Sequence, residues 1–124
     1  MTQEEKDLLL KDLCARLPYG VKVESVFINP DTKEHKSCGI EVFDVTSLLM
    51  IRDGLGEFKP YLFPLSSMNE EQGKIYHELI GGMFGTNVLI NFELLEEFFN
   101  KNHIDYIGLI PLGLAIDATD KNIY

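Results

Sequence analysis

Chemistry in a protein of this kind would have to come from a few residues, so their spacing is the starting point. The three histidines are His35, His77 and His103. His103 and Asp105 are two residues apart in a loop, a spacing that one metal ion can use, but zinc takes three or four protein ligands and no third is specified. His77 and Glu78 are adjacent, so on a helix they diverge by about 100°. The two cysteines, Cys14 and Cys38, lie in no CxxC pattern and pair with no histidine at ligand spacing. Cys14 falls on an apolar helical stripe, where it is expected to pack as a small hydrophobe. Cys38 has His35 three residues before it, a pair that meets in a loop but not along a strand. Gly81-Gly82-Met83-Phe84-Gly85-Thr86 has the glycines of a phosphate loop but no lysine, and it follows a helix instead of opening one, so it reads as a helix end and turn. Each reading lacks a component, and no catalytic residue, metal ligand or cofactor is expected. The glutamate clusters all fall on solvated helix faces or first turns.

The remaining lead is a surface. Residues 58–64, Phe58-Lys59-Pro60-Tyr61-Leu62-Phe63-Pro64, interleave three aromatics with two prolines. Pro60 confines such a strand to a sheet edge or a bulge. An edge with aromatic side chains can accept a peptide strand or a second subunit. Phe58, Pro60, Tyr61 and Phe63 are therefore the candidate interface, against the alternative that they face the core.

The elements that would position these residues follow from pattern. Thr2 and Glu5 have capping-box spacing, and Leu9, Leu10, Leu13, Cys14 and Leu17 recur at helical intervals until Pro18 stops the helix. Residues 21–28 alternate over their first four positions and are rich in β-branched types, which predicts a strand. Asn29-Pro30-Asp31 turns the chain, residues 32–37 form a loop or a frayed strand entry, and residues 40–45 and 48–51 read as two more strands before the Asp53-Gly54 turn. With residues 58–63 this makes an antiparallel meander, which is also compatible with a small SH3-like barrel.

Ser67 with Glu70, or Asn69 with Gln72, opens the next helix, whose apolar face is Ile75, Leu79, Ile80 and Met83. Val88-Leu89-Ile90 is compatible with a short strand. Asn91 is read as the cap of a last helix that buries Leu94, Leu95, Phe98 and Phe99 and pairs Glu97 with Lys101 on its exposed face. Asp105 is expected to cap one further turn, and Leu114-Ala115-Ile116 to form a final short strand. The expected organisation is one α+β domain over residues 1–124: a helix at 1–18, a β-meander at 20–64, a mainly helical part at 66–118, and a polar, frayed tail at 119–124.

Composition narrows the function classes. The net charge is −9, and residues 65–124 alone carry 9 acids against 3 bases. Such a surface repels phosphate, so direct nucleic-acid binding is not expected. No apolar run reaches the roughly 18 residues of a membrane span, and the acidic start Met1-Thr2-Gln3-Glu4-Glu5 is unlike a secretory signal. A cytoplasmic protein with reduced thiols is the expectation.

Three stretches carry a resemblance. They are Leu8-Leu9-Leu10-Lys11-Asp12-Leu13-Cys14-Ala15-Arg16-Leu17-Pro18-Tyr19-Gly20-Val21-Lys22-Val23, then Lys59-Pro60-Tyr61-Leu62-Phe63-Pro64-Leu65-Ser66-Ser67-Met68-Asn69-Glu70-Glu71, and Asn102-His103-Ile104-Asp105-Tyr106-Ile107-Gly108-Leu109-Ile110 with Gly113-Leu114-Ala115-Ile116. Together they resemble a group of small uncharacterised proteins of gut bacteria and their prophages, while residues 24–57 depart from that group. The resemblance implies a cytoplasmic protein of mobile-element origin; it does not imply an activity. A non-enzymatic protein-interaction module, with a protein partner or self-association, is the leading expectation. The alternatives are an acidic protein that blocks the nucleic-acid-binding site of a host factor, and a small metal-dependent hydrolase built on His103 and Asp105.

Overall fold

The computed structural model describes residues 2–82 and 88–124. It is an α+β fold: an N-terminal helix, a sheet of five strands, and further helices. Helix α1 (Gln3–Arg16) starts where the capping box places it. Thr2 Oγ1 accepts from the Glu5 N–H at 3.1 Å, and the Glu5 carboxylate accepts from the Thr2 N–H at 3.0 Å. The buried stripe of α1 differs from the expected one. It is Leu9, Asp12, Leu13 and Arg16, while Leu10 and Cys14 are exposed. The helix is rotated so that a charged pair, and not the cysteine, faces inward.

Strand β1 (Lys22–Ile28) buries Val23 and Ser25 on one face, with Val21 fully buried just before it. It pairs antiparallel on one side with β2 (His35–Val42) and on the other with β3 (Gly56–Pro64). The hairpin loop between β1 and β2 is closed by the Asn29 side chain, which accepts from the Asp31 and Thr32 N–H groups. The second strand thus begins at His35, earlier than the expected residue 40.

The third expected strand is a helix. Residues 48–51 lie inside α2 (Val45–Arg52). A short apolar run does not by itself distinguish strand from helix. The cap decides here: the Asp44 carboxylate accepts from the Ser47 N–H at 3.0 Å, and the Ser47 hydroxyl accepts from the Asp44 N–H at 3.3 Å. Leu48, Met50 and Ile51 pack on the core, while Val45 and Leu49 face solvent.

Because α2 carries the chain back across the sheet, β3 lies beside β1 and the strand order is β2-β1-β3-β4. The sheet is mixed. The two short strands β4 (Ile104–Asp105) and β5 (Ile116–Asp117) run parallel to β3. The expected meander is therefore replaced by an open mixed sheet, and no closed SH3-like barrel forms among the described residues.

Pro60 is accordingly not on an edge. β3 pairs with β1 through Gly56–Pro60 and with β5 and β4 from Tyr61 to Pro64. Pro60 sits at the handover between the two ladders, where a missing N–H is tolerated. Tyr124 extends the first ladder past this point. Its hydroxyl accepts from the Lys22 N–H at 2.8 Å and donates to the Tyr61 carbonyl at 2.8 Å. Its ring stacks on His103 with centroids 3.8 Å apart. The Lys22 ammonium donates to the Ile123 carbonyl at 2.6 Å. The tail expected to fray is thus tied to the sheet at its last two residues.

Helix α3 (Glu70–Gly82) uses the second of the two caps anticipated. Asn69 Oδ1 accepts from the Gln72 N–H at 2.8 Å, and Gln72 Oε1 accepts from the Asn69 N–H at 3.1 Å. Met83, Phe84, Gly85 and Thr86 lie outside the described residues. Helix α4 (Val88–Lys101) begins before Asn91, so the backbone of Val88, Leu89 and Ile90 is helical and Asn91 is inside the helix. Leu95, Phe98 and Phe99 are buried as expected, but Leu94 is exposed. Glu97 and Lys101 form no ion pair; the pairs among the described residues are Asp12–Arg16 and Arg52–Asp53.

Two apolar clusters result. One joins α1 to β1, β3, α2 and the loop that carries Leu109 and Leu114. The other gathers Leu95, Phe98, Phe99 and Ile104 with Tyr76 and Leu79 of α3. Arg16 bridges them. Its guanidinium is fully buried, bonds Asp12 at 2.9 Å, and donates to the Ile104 carbonyl at 2.6 Å and the Phe99 carbonyl at 3.4 Å.

Candidate functional site

The residues first marked for chemistry are placed apart or are already engaged. Asp105 is buried, and its two carboxylate oxygens accept from the N–H groups of Gly108, Leu109 and Ile110, each at 2.9 Å. These bonds occupy the carboxylate in holding its own loop, so it stands as a structural acceptor in place of a metal ligand. His103 lies at the tip of a turn with φ 56° and packs flat on Tyr124. No group of three or more His, Cys, Asp or Glu side chains suited to a metal forms among the described residues. His35 and Cys38 are both exposed on β2 with no hydrogen bond between them, and the Cys38 thiol faces only the Lys36 carbonyl at 3.6 Å. His77 and Glu78 are exposed on α3.

Burial holds the His103 imidazole at a pKa of about 4, below its ordinary value, helped by the positive charges of Arg16 and Lys22. The folded chain therefore binds fewer protons there than the unfolded chain between about pH 4 and 6.5. Stability contributed by the neutral ring is complete above the upper value and is lost as the pH falls toward the lower one. Urea unfolding at about pH 7 and about pH 4.5 should show a loss on the order of 2 kcal/mol that His103→Asn does not share. Asparagine tolerates the positive φ, so the comparison isolates the titration. An equal pH response of both proteins would contradict it.

The aromatic-proline segment is also placed inward. Phe58 is 3% exposed, Tyr61 is 7% exposed, and Pro60 is fully buried, while Phe63 is half-buried against Tyr124. Phe58 meets Phe43 edge to face at 5.7 Å. Each half of the strand already has a partner, and Phe58, Pro60 and Tyr61 are buried, so they pack as core, with Phe63 partly covered beside them.

The open edge is β2. All eight of its residues, His35–Val42, are exposed. One side of the strand pairs with β1, and the other has no neighbour among the described residues. The strand is interrupted once. Ser25 lies opposite Gly39 but Val26 opposite Ser37, so Cys38 is an extra, bulged residue. Gly39 takes φ 84° beside it, a backbone geometry that favours glycine.

The bulge sets which side chains share a face. Ile40 and Val42 lie opposite Glu24 and Lys22, on the face turned away from the core. Both are about half exposed, at 53% and 52%. Glu41 lies opposite Val23 and Lys36 opposite Phe27, on the other face. The strand therefore presents free backbone donors and acceptors, two apolar side chains on one face, and a cation and an anion on the other. That is the chemistry needed to receive an extended strand. Read as sequence, residues 32–37 look like a polar loop or a frayed strand entry. The signals for an edge strand were Lys36 and the Cys38-Gly39 pair, a lysine and a glycine bulge, which are devices that sheets use on edges.

Two other surfaces lie on α3 and α4. A shallow groove of about 540 Å³ between α3 and α4 is lined by Ile75, Leu79, Leu94 and Phe98, with Glu97 and Lys101 at its rim. Glu70, Glu71, Glu78, Glu93 and Glu97 are exposed on the same two helices. No helix among the described residues is long and apolar enough to cross a membrane. No protein-family model, curated protein or solved structure matches this chain.

Proposed function

We propose that this protein is a non-enzymatic protein-interaction module that binds an extended strand along the free edge of β2. The observation that carries the reading is that β2 is exposed over its whole length, unpaired on one side among the described residues, and apolar at Ile40 and Val42. Main-chain hydrogen bonds supply the affinity in such an arrangement, and side chains on alternate positions supply selectivity. The resemblance to gut-bacterial and prophage proteins suits an adaptor acting in the bacterial cytoplasm. Asp105, the carboxylate of the hydrolase reading, accepts from three backbone donors, which favours the interaction reading over it.

The test is capture of a partner followed by hydrogen exchange on the complex. Amides of β2 should slow in exchange when the partner binds, and lysine at both Ile40 and Val42 should release it. A partner retained by that double variant, or protection confined to α3 and α4, would defeat the reading. The exposed glutamates of α3 and α4 favour one other reading, an acidic surface that occupies the nucleic-acid-binding site of a host factor. A complex of that kind would weaken steeply with added salt; a β-strand complex would not.

A further inference from the structure

We infer that the strand received by β2 is the β2 of a second copy of this chain. The two strands run antiparallel about a two-fold axis that passes between Cys38 and Gly39, and Lys36 of each copy lies opposite Glu41 of the other. The inference rests on the strand-accepting reading of β2, and adds to it both the occupant and the register.

A two-fold antiparallel pairing requires that residues set opposite each other share a face and a hydrogen-bonding direction. In a regular strand, only residues an even number apart do so. Lys36 and Glu41 are an odd number apart, and the bulge corrects this. Measured on β1, Lys36 stands at Phe27 and Glu41 at Val23, an even separation. The same holds for Ser37 and Ile40, which stand at Val26 and Glu24, and for His35 and Val42, which stand at Ile28 and Lys22. All three pairs on each side of the axis therefore match in face and direction, using β2 from end to end.

Charge selects this register among its neighbours. It makes two Lys36–Glu41 contacts, one on each side of the axis. Moving the pairing one step toward the hairpin loop puts Glu34 opposite Glu41. Moving it one step the other way leaves Lys36 opposite Phe43, without an acid. A parallel, in-register arrangement sets Lys36 against Lys36 and Glu41 against Glu41, which repel. The lysine and the bulge that discourage indiscriminate edge pairing thus leave one self-pairing intact. On the outer face, Ile40 of each copy becomes a diagonal neighbour of the other, within side-chain reach across the axis.

Sedimentation equilibrium of the whole chain tests this with Lys36→Glu, Glu41→Lys and the combined reversal. The wild type should form a dimer. Each single reversal creates two like-charge pairs and should weaken the dimer about tenfold or more. The combined reversal should restore it, which also shows that the single variants had not simply misfolded. In a Cys14→Ser background, a short bis-maleimide should join Cys38 to Cys38, because both lie next to the axis. A chain that stays monomeric up to about 1 mM overturns the inference. So does a dimer that ignores both single reversals, or one that cannot be joined through Cys38. A monomer that still binds another protein through β2, losing it on lysine substitution of Ile40 and Val42, overturns self-pairing alone and leaves the strand-accepting reading standing. A monomer whose partner ignores β2 overturns both.

Discussion

Replacing Arg16 with alanine should cost the fold about 3–5 kcal/mol, the usual range for removing one partner of a buried ion pair. Domains of this size have stabilities of about 5–15 kcal/mol, so the loss is a large share of the total. The cost comes from what is left behind. Asp12 is buried, and its Oδ1 already lacks a hydrogen-bond partner among the described residues. Without Arg16, its other oxygen loses a 2.9 Å bond, and the carbonyls of Ile104 and Phe99 lose their donor. The guanidinium also lies over the Tyr106 ring at 5.8 Å.

Burial raises the Asp12 pKa in the intact protein, and Arg16 opposes that rise. In the alanine variant the opposition is gone and the folded-state pKa rises further. The folded variant then binds a proton that the unfolded chain releases, so its deficit should be smaller near pH 4 than near pH 7. Replacing both partners with apolar residues, Asp12→Leu with Arg16→Met, should recover most of the loss, because no charge is then stranded. Urea unfolding with an unchanged slope measures each value. A loss below about 1 kcal/mol for Arg16→Ala would mean that the pair is not the bolt between the two apolar clusters.

Asp105→Ala is the second large effect, expected at about 3 kcal/mol. Hydrogen bonds to charged groups contribute roughly 1.5–3 kcal/mol each, and three are lost, partly offset by water reaching the freed N–H groups. The consequence is not local. The loop that these bonds hold carries Leu109 and Leu114 into the main core, where they are 0% and 3% exposed. Asp105→Asn should cost about half as much. Its amide oxygen can still accept from Gly108 and Leu109, but its NH2 group faces the Ile110 N–H as donor against donor. Faster hydrogen exchange at residues 108–110, together with the lowered unfolding midpoint, checks the mechanism. Loss of stability without faster exchange there would assign the effect elsewhere.

Local signals were legible wherever the chemistry is local. Thr2 with Glu5 and Asn69 with Gln72 mark their helices because a capping box needs only residues three apart. Asp44 with Ser47 is the same kind of signal, but it was masked by the β-like run Leu48-Leu49-Met50-Ile51 that follows. Val21 and Val23 announced β1 by alternation. Pro60 misled, because a proline is excluded from a central strand only where its N–H is needed, and the need depends on which neighbours pair where. Of the candidate site, only the strand tendency of residues 40–42 could be read beforehand. That β2 is the edge follows from α2 returning the chain to the far side of β1, a matter of topology.

The sequence by itself determined the class, α+β, the first helix with its capping box, the first strand, the α3 cap and the acidic surface. Those depend on side chains a few residues apart. The tertiary structure alone decided that Asp12 and Arg16 face inward together, that Asp105 is engaged by its own loop, that Tyr124 is anchored, and that the aromatic-proline segment is core while β2 is the free edge. Each of these rests on partners far apart in the chain, such as Arg16 with Ile104 or Lys22 with Tyr124. Such pairings arise only when packing has chosen which strand lies beside which.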